Sequence, residues 1–193
     1  MRSSVPLPSR SAFSEFFVLL SFLYFLQELH NPVLDKIMVF ITSLGNDGLL
    51  WIGLAVFFVF FKKYRKCAIS IGISLILMEL FGNMILKELI MRERPCWIDP
   101  TVELLVKAPS SYSFPSGHTF AGFASAVTVF LNHKKEGVAA LVVAALIAFS
   151  RMYVFVHFPT DILGGMVFGI GVAVLTYFIV HRWAPKLITK KEK

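Results

Sequence analysis

Apolar runs long enough to cross a bilayer recur along this chain, and that feature leaves few folds open. A hydrocarbon core about 30 Å thick takes about 20 apolar residues in helical form, and inside it every backbone polar group has to be paired within the chain. Six runs fall at about 12–29, 48–61, 67–87, 119–132, 137–156 and 161–181. The second and fourth reach spanning length only by extension into their flanking loops. With 56% hydrophobic residues, 20 Phe and only 16% charged residues in 193, the composition excludes an ordinary soluble domain. The expected fold is all-α: a polytopic six-transmembrane-helix bundle forming a single membrane-embedded domain over residues 1–193. The first run follows Arg2 and Arg10 as a secretory signal would. Leu26, Gln27 and Glu28 offer no small-residue cleavage site, so it reads as an uncleaved anchor.

The net charge of +7 raises nucleic acid as a partner, and its placement argues against one. With both termini cytoplasmic, the inner segments hold 13 of the 19 Lys and Arg residues. These are Arg2, Arg10, the KKYRK turn at 62–66, Lys134, Lys135, Arg182, Lys186, Lys190, Lys191 and Lys193. Such a bias orients helices in a membrane. The six outer cations are Lys36, Lys87, Arg92, Arg94, Lys107 and Arg151. Cys67 and Cys96 fall at opposite ends of a span, too far apart for a disulfide.

Between the first two spans, NPVLDKIMVFITSLGND (31–47) carries its own helix signals. Asn31 suits a cap and Pro32 the first helical position. Val33, Leu34, Ile37, Met38, Ile41 and Leu44 share one face, which predicts a short interfacial amphipathic helix serving architecture rather than chemistry. The outer loop at about 88–118 is long for a compact fold, a length associated with function. Gly165 and Gly169 form a small-xxx-small pair for close helix packing in the last span. His30, His133 and His181 read as interfacial, Trp97 and Tyr153 as belt aromatics, and Arg92, Glu93 and Lys107 as solvated loop charges.

Three outer cations, Lys87, Arg94 and Arg151, stand near the ends of neighbouring spans. Each costs about 2.5–3.5 kcal/mol at membrane depth and less near the interface, so their grouping points to a shared anion. Arg binds phosphate bidentately, and Lys supplies a mobile point charge. FPSGHTF (114–120) then places Ser116 as an N-cap and Gly117 at an open helix start, where backbone N–H groups favour an anion. In SRMYVFVHFPTDILGG (150–165), Pro159 turns the chain between His157 and Asp161. The carboxylate is thus placed to fix the tautomer of the imidazole. His157 becomes a nucleophile toward phosphorus, and His118 an acid with an ordinary pKa near ~6.5. Glu79, Asn83 and Lys87 recur at i, i+4 and i+8, one stripe of an α-helix, which predicts a buried Glu79 that bonds a neighbouring helix and supports Lys87 from below.

Lys87-x6-Arg94-Pro95, Pro115-Ser116-Gly117-His118 and Ser150-Arg151-x5-His157-x3-Asp161 together resemble the three-part signature of the type 2 phosphatidic acid phosphatase family. The resemblance covers roughly 31–176. It implies a six-helix membrane bundle that hydrolyses lipid phosphate without metal or cofactor, through a phosphohistidine intermediate. It also implies that Lys87, Arg94, Arg151, Ser116 and the Gly117 backbone bind phosphate while His157 attacks, Asp161 orients it and His118 is the acid. The motifs lie on the side poor in other basic charge, so an extracytoplasmic site on a bacterial plasma membrane is expected. Undecaprenyl diphosphate is the first candidate substrate, with phosphatidylglycerophosphate and phosphatidate as alternatives. A phospholipid-binding or transport protein using the same cations is the non-enzyme alternative; binding alone has no need of two imidazoles.

Overall fold

The computed structural model describes residues 10–183, with side chains described for 17–182. Arg2, Lys186, Lys190, Lys191, Lys193 and the side chain of Arg10, which enter the charge bias, lie outside the described residues. Among the described residues all regular structure is helical. In chain order the α-helices are α1 (Arg10–Glu28), α2 (Pro32–Leu44), α3 (Leu49–Val59), α4 (Arg65–Leu77), α5 (Lys87–Ile90), α6 (Pro95–Ile98), α7 (Gly117–Asn132), α8 (Lys134–Tyr153) and α9 (Pro159–Trp183). A π-helical stretch, Met78–Leu86, joins α4 to α5.

Every predicted span coincides with a helix, but the helices differ in reach. Lys62–Ile98, Lys134–Tyr153 and Pro159–Arg182 are each long and apolar enough to cross a membrane. The pair Pro32–Leu44 and Asn46–Val59, bent by 48°, makes a fourth if counted as one broken span. The chain is therefore a multi-pass membrane protein. α7 has only 16 residues because its first turn starts at the site described below.

α7 is the hub. It packs along both α8 and α9, and α4 closes against it and α9. Trp51, Phe120, Phe123, Ile147 and Ile162 form the main core. Deeper in the bundle the hydroxyls pair with one another: Ser74 Oγ lies 2.7 Å from Thr176 Oγ1 and 3.5 Å from Thr128 Oγ1. Lipid offers a hydroxyl no partner, so such bonds tie helices together. Outward, Phe57, Phe60, Leu89, Val167 and Phe178 are exposed, as a lipid-facing surface requires.

The Gly165/Gly169 pair does bring α9 onto α7. A Cβ on Gly165 would stand 2.8 Å from Ser116 O, and one on Gly169 would stand 2.9 Å from Phe120 O. Both neighbours are backbone and cannot swing away. Gly165→Val should therefore destabilise the protein by about 1–3 kcal/mol, the usual cost of overpacking. A lower thermal midpoint in detergent checks this; an unchanged midpoint would mean that the helices separate freely here.

Asn31 caps α2 as its sequence suggests, with Oδ1 accepting from the backbone N–H of Val33 at 3.2 Å and Leu34 at 3.0 Å. Two expectations fail nearby. Tyr153 is fully buried rather than in an interfacial belt. It donates to Asp35 Oδ1 at 2.6 Å and stacks on His30 with ring centroids 4.4 Å apart. Its polar partners on α2 and in the α1–α2 connection outweigh its preference for the membrane surface. Nor is α2 architecture alone, because Thr42 near its end reaches a site cation.

Candidate active site

Two irregular segments carry the site, and both are set by local punctuation. The outer loop leaves α5 at Met91, in the left-handed region (φ 47°), and re-enters the bundle at Ser116. The α8–α9 turn passes through Phe155 at φ 58°, uncommon for a bulky residue. Backbone bonds hold it, from Phe155 N to Met152 O at 3.0 Å and from Val156 N to Arg151 O at 3.2 Å. Pro159 then opens α9, and His157 is left in a buried turn, 2% exposed.

Partners fix the protonation of this ring. Arg94 Nη1 lies 3.0 Å from His157 Nε2. A guanidinium only donates, so Nε2 accepts and the ring proton sits on Nδ1. That nitrogen faces Ser113 Oγ at 3.3 Å and Asp161 Oδ2 at 3.6 Å. Ser113 Oγ donates to the same carboxylate oxygen at 2.5 Å, and the backbone N–H of Phe158 donates to it at 2.8 Å. Asp161 Oδ1 takes a bond from Arg92 Nη1 at 2.6 Å. The carboxylate thus reaches the imidazole mainly through a serine.

The arrangement leaves the lone pair of Nε2 directed at the cations. Lys87, Arg94 and Arg151 are 6%, 2% and 6% exposed. All three line a cavity of about 440 Å³ together with Gly117, His118, His157, Asn83 and Glu79. Ser111 ties two of them: Lys87 Nζ donates to its Oγ at 3.0 Å, and Arg94 Nε donates to its carbonyl at 2.6 Å. Arg94 also donates to Val156 O at 2.9 Å and Tyr112 O at 3.1 Å, which clamps the outer loop to the α8–α9 turn. Arg151 Nη1 donates to Thr42 Oγ1 at 2.6 Å, and its buried Nε has no hydrogen-bond partner among the described residues. His118 Nε2 donates to Asn46 Oδ1 at 3.1 Å. The approach of that ring depends on Gly45, where a Cβ would stand 2.6 Å from His118 Cδ2.

Ser116 stands behind this surface. Its position begins α7, but its side chain makes no capping bond; Oγ instead accepts from Thr119 Oγ1 at 3.1 Å. Glu79 is exposed, not buried. Its Oε2 accepts from Asn83 of its own helix at 2.6 Å, while Lys87 turns to Ser111. The stripe itself holds, since Glu79, Asn83 and Lys87 all line the cavity; what fails is the burial of Glu79 and its bond to a neighbouring helix. Arg92 is not a solvated loop charge. Besides Asp161 it donates to Thr160 Oγ1 at 2.6 Å, and its guanidinium lies 4.4 Å over the Phe158 ring.

Burial pushes the His157 imidazole down to about 3, the Asp161 contact opposing and the nearby Arg94 and Arg151 adding to the shift. The ring is neutral at physiological pH, as the Arg94 contact also requires. Between the ordinary 6.5 and about 3, the unfolded chain binds a proton here that the folded chain does not. Stability is therefore intact above 6.5 and is lost as pH falls through that window. The thermal midpoint should drop between pH 7 and pH 5, and His157→Gln should flatten the slope. An equally steep slope in the variant would assign the titration elsewhere.

A helical membrane bundle that brings three buried cations and two imidazoles to one cavity has the make-up of a membrane site for an anionic group. The PAP2 superfamily model matches residues 63–185, which include all three motifs. The chain belongs to the PAP2 superfamily, the family its motifs resemble. It is 32% identical over 145 residues to the undecaprenyl-diphosphatase of Sulfolobus acidocaldarius, covering 74% of this chain and 69% of that one. It is 33% identical over 186 residues to phosphatidylglycerophosphatase B of Bacillus subtilis, covering 86% and 82%. Its fold matches the crystal structure of a transmembrane PAP2-type phosphatidylglycerolphosphate phosphatase from Bacillus subtilis with a TM-score of 0.70 at 27% identity, over 96% of this chain and 90% of that one.

Proposed function

We propose that this protein is a metal-independent lipid phosphatase of a bacterial plasma membrane. In this reading it is a single domain of six membrane-crossing helices, with cytoplasmic termini and an extracytoplasmic site. The observation that carries the reading is an unprotonated His157 Nε2 directed into a cavity walled by Lys87, Arg94 and Arg151. The Nε2 lone pair attacks the terminal phosphorus, and the P–O bond to the leaving group (the bridging oxygen of a lipid diphosphate, or the lipid oxygen of a monophosphate) breaks with its electrons passing to the leaving oxygen. His118 donates a proton to that oxygen. Asp161, with Ser113, stabilises the positive charge that develops on the imidazole. Water then attacks the phosphohistidine while His118 takes its proton, the N–P bond breaks, and orthophosphate is released. The cations meet the charge that spreads over the phosphoryl oxygens.

The lipid tail has a place beside this cavity. Between α3 and α4 runs an apolar groove of about 490 Å³ lined by Ile52, Val56, Leu75 and Ile76, and it adjoins the catalytic cavity at Asp47, Gly48, Met78 and Glu79. Ile52, Val56 and Ile76 are exposed, so the groove opens sideways toward lipid. An amphiphile with its phosphate at headgroup level fits this layout.

Undecaprenyl diphosphate is the first choice, because recycling that lipid needs an outward-facing site. Phosphatidylglycerophosphate and phosphatidate are the alternatives. The purified protein should release phosphate from undecaprenyl diphosphate fastest, and the rate should be undiminished in chelator. A strong preference for phosphatidylglycerophosphate would reverse the order, and a loss that added metal restores would refute the mechanism. Lipid binding without hydrolysis of any of the three would favour a binding or transport protein.

A further inference from the structure

The geometry points to a second mouth on the catalytic cavity, a water-side anion passage through which orthophosphate leaves and water enters. The inference rests on the lipid phosphatase reading above. A cavity of about 580 Å³ lies between the end of α2 and the outer loop, lined by Ser43 and Asn46 on one side and Lys107 and Ser110 on the other. It meets the catalytic cavity at His118, Arg151 and Pro109, which line both. Ser43, Asn46, Lys107 and Ser110 are exposed, so this mouth opens to water, whereas the groove opens to lipid.

Charge gives the two mouths a direction. Among the described residues no Asp or Glu lines the passage, and Lys107 stands at its rim. At its inner end is Arg151, 6% exposed, with Nη1 held by Thr42 and a buried Nε that lacks a partner among the described residues. The junction with the apolar groove carries Asp47 and Glu79 instead. An orthophosphate ion formed between these ends is repelled by the carboxylates and drawn toward the cations. A hydrocarbon tail is indifferent to both. After the first chemical step the lipid product still fills the groove, so a separate exit lets phosphate go without waiting for it. His118 lines both cavities, where it can meet the incoming water.

The test uses the full-length protein in detergent carrying either Ser43→Cys, in the passage, or Ile52→Cys, in the groove. Each is reacted with N-ethylmaleimide, and wild type, whose Cys67 and Cys96 are both buried, is the blank. Orthophosphate at about ten times its dissociation constant should slow modification of Ser43→Cys about tenfold and leave Ile52→Cys unchanged. Equal slowing of both, or of neither, would overturn the passage. In turnover, Lys107→Glu should raise the inhibition constant of orthophosphate while leaving the lipid KM within about twofold; a parallel change in both would also overturn it. The labelling needs no turnover, so its failure with lipid hydrolysis intact removes the passage alone. A wild type that hydrolyses no lipid phosphate removes the phosphatase reading instead.

Discussion

His157→Ala should lower lipid phosphate hydrolysis by at least about 10³-fold, the scale on which removal of a nucleophile is felt. The ring is 2% exposed and its Nε2 faces Arg94 at 3.0 Å, which sets an unprotonated nitrogen beside that cation. His157→Gln is the companion variant, because it keeps most of the side-chain volume and separates lost chemistry from a cavity in the fold. His157→Gln should keep a thermal midpoint near wild type at pH 7 while His157→Ala melts lower, with kcat reduced in both. Wild type quenched into alkali during turnover of a phosphorus-labelled lipid should carry label on the protein, and neither variant should. Label retained in His157→Ala would move the nucleophile elsewhere, and activity within tenfold of wild type would end the covalent mechanism.

The helices were legible in the sequence because lipid imposes a simple rule, and each apolar run coincides with a helix, though among the described residues only three, or four with the bent pair, are long and apolar enough to cross. The cap at Asn31 was legible for the same kind of local reason. Residues that act across the chain left no such mark. Ser111, Ser113, Thr42 and Asn46 are small polar residues in or beside loops, and no spacing separates them from ordinary turn residues. Their contacts span 24 residues for Lys87 to Ser111, 72 for His118 to Asn46 and 109 for Arg151 to Thr42. Arg92 was read as a loop charge because its partner Asp161 lies 69 residues away. Only folding brings the guanidinium to that carboxylate. The stripe of Glu79, Asn83 and Lys87 was legible, and all three line the cavity; the exposure of Glu79 was not, because no spacing tells that its carboxylate lies where two cavities meet.

Substitution of Arg94 by Lys keeps the charge and should still cost about 10²–10³-fold in kcat/KM, comparable to the loss of one donor to a developing anion. Arg94 is a hub for which Lys is no substitute. Its planar fork bonds Ser111 O, Tyr112 O and Val156 O and meets His157 Nε2, and a single ammonium cannot hold the loop, the turn and the ring together. The lost donors unclamp the outer loop from the α8–α9 turn, so the imidazole is left less well aimed and the phosphate less well gripped. Arg151 gives the comparison. Its only side-chain bond among the described residues goes to Thr42, so Arg151→Lys should lose less than Arg94→Lys. The measurement is kcat and KM for the preferred lipid in both variants, beside thermal midpoints with and without orthophosphate. Arg94→Lys should lower kcat more than it raises KM, because the ring it positions acts in the chemical step. A pure KM effect would make Arg94 a binding cation and no more, and equal losses in the two variants would mean that charge alone matters at both positions.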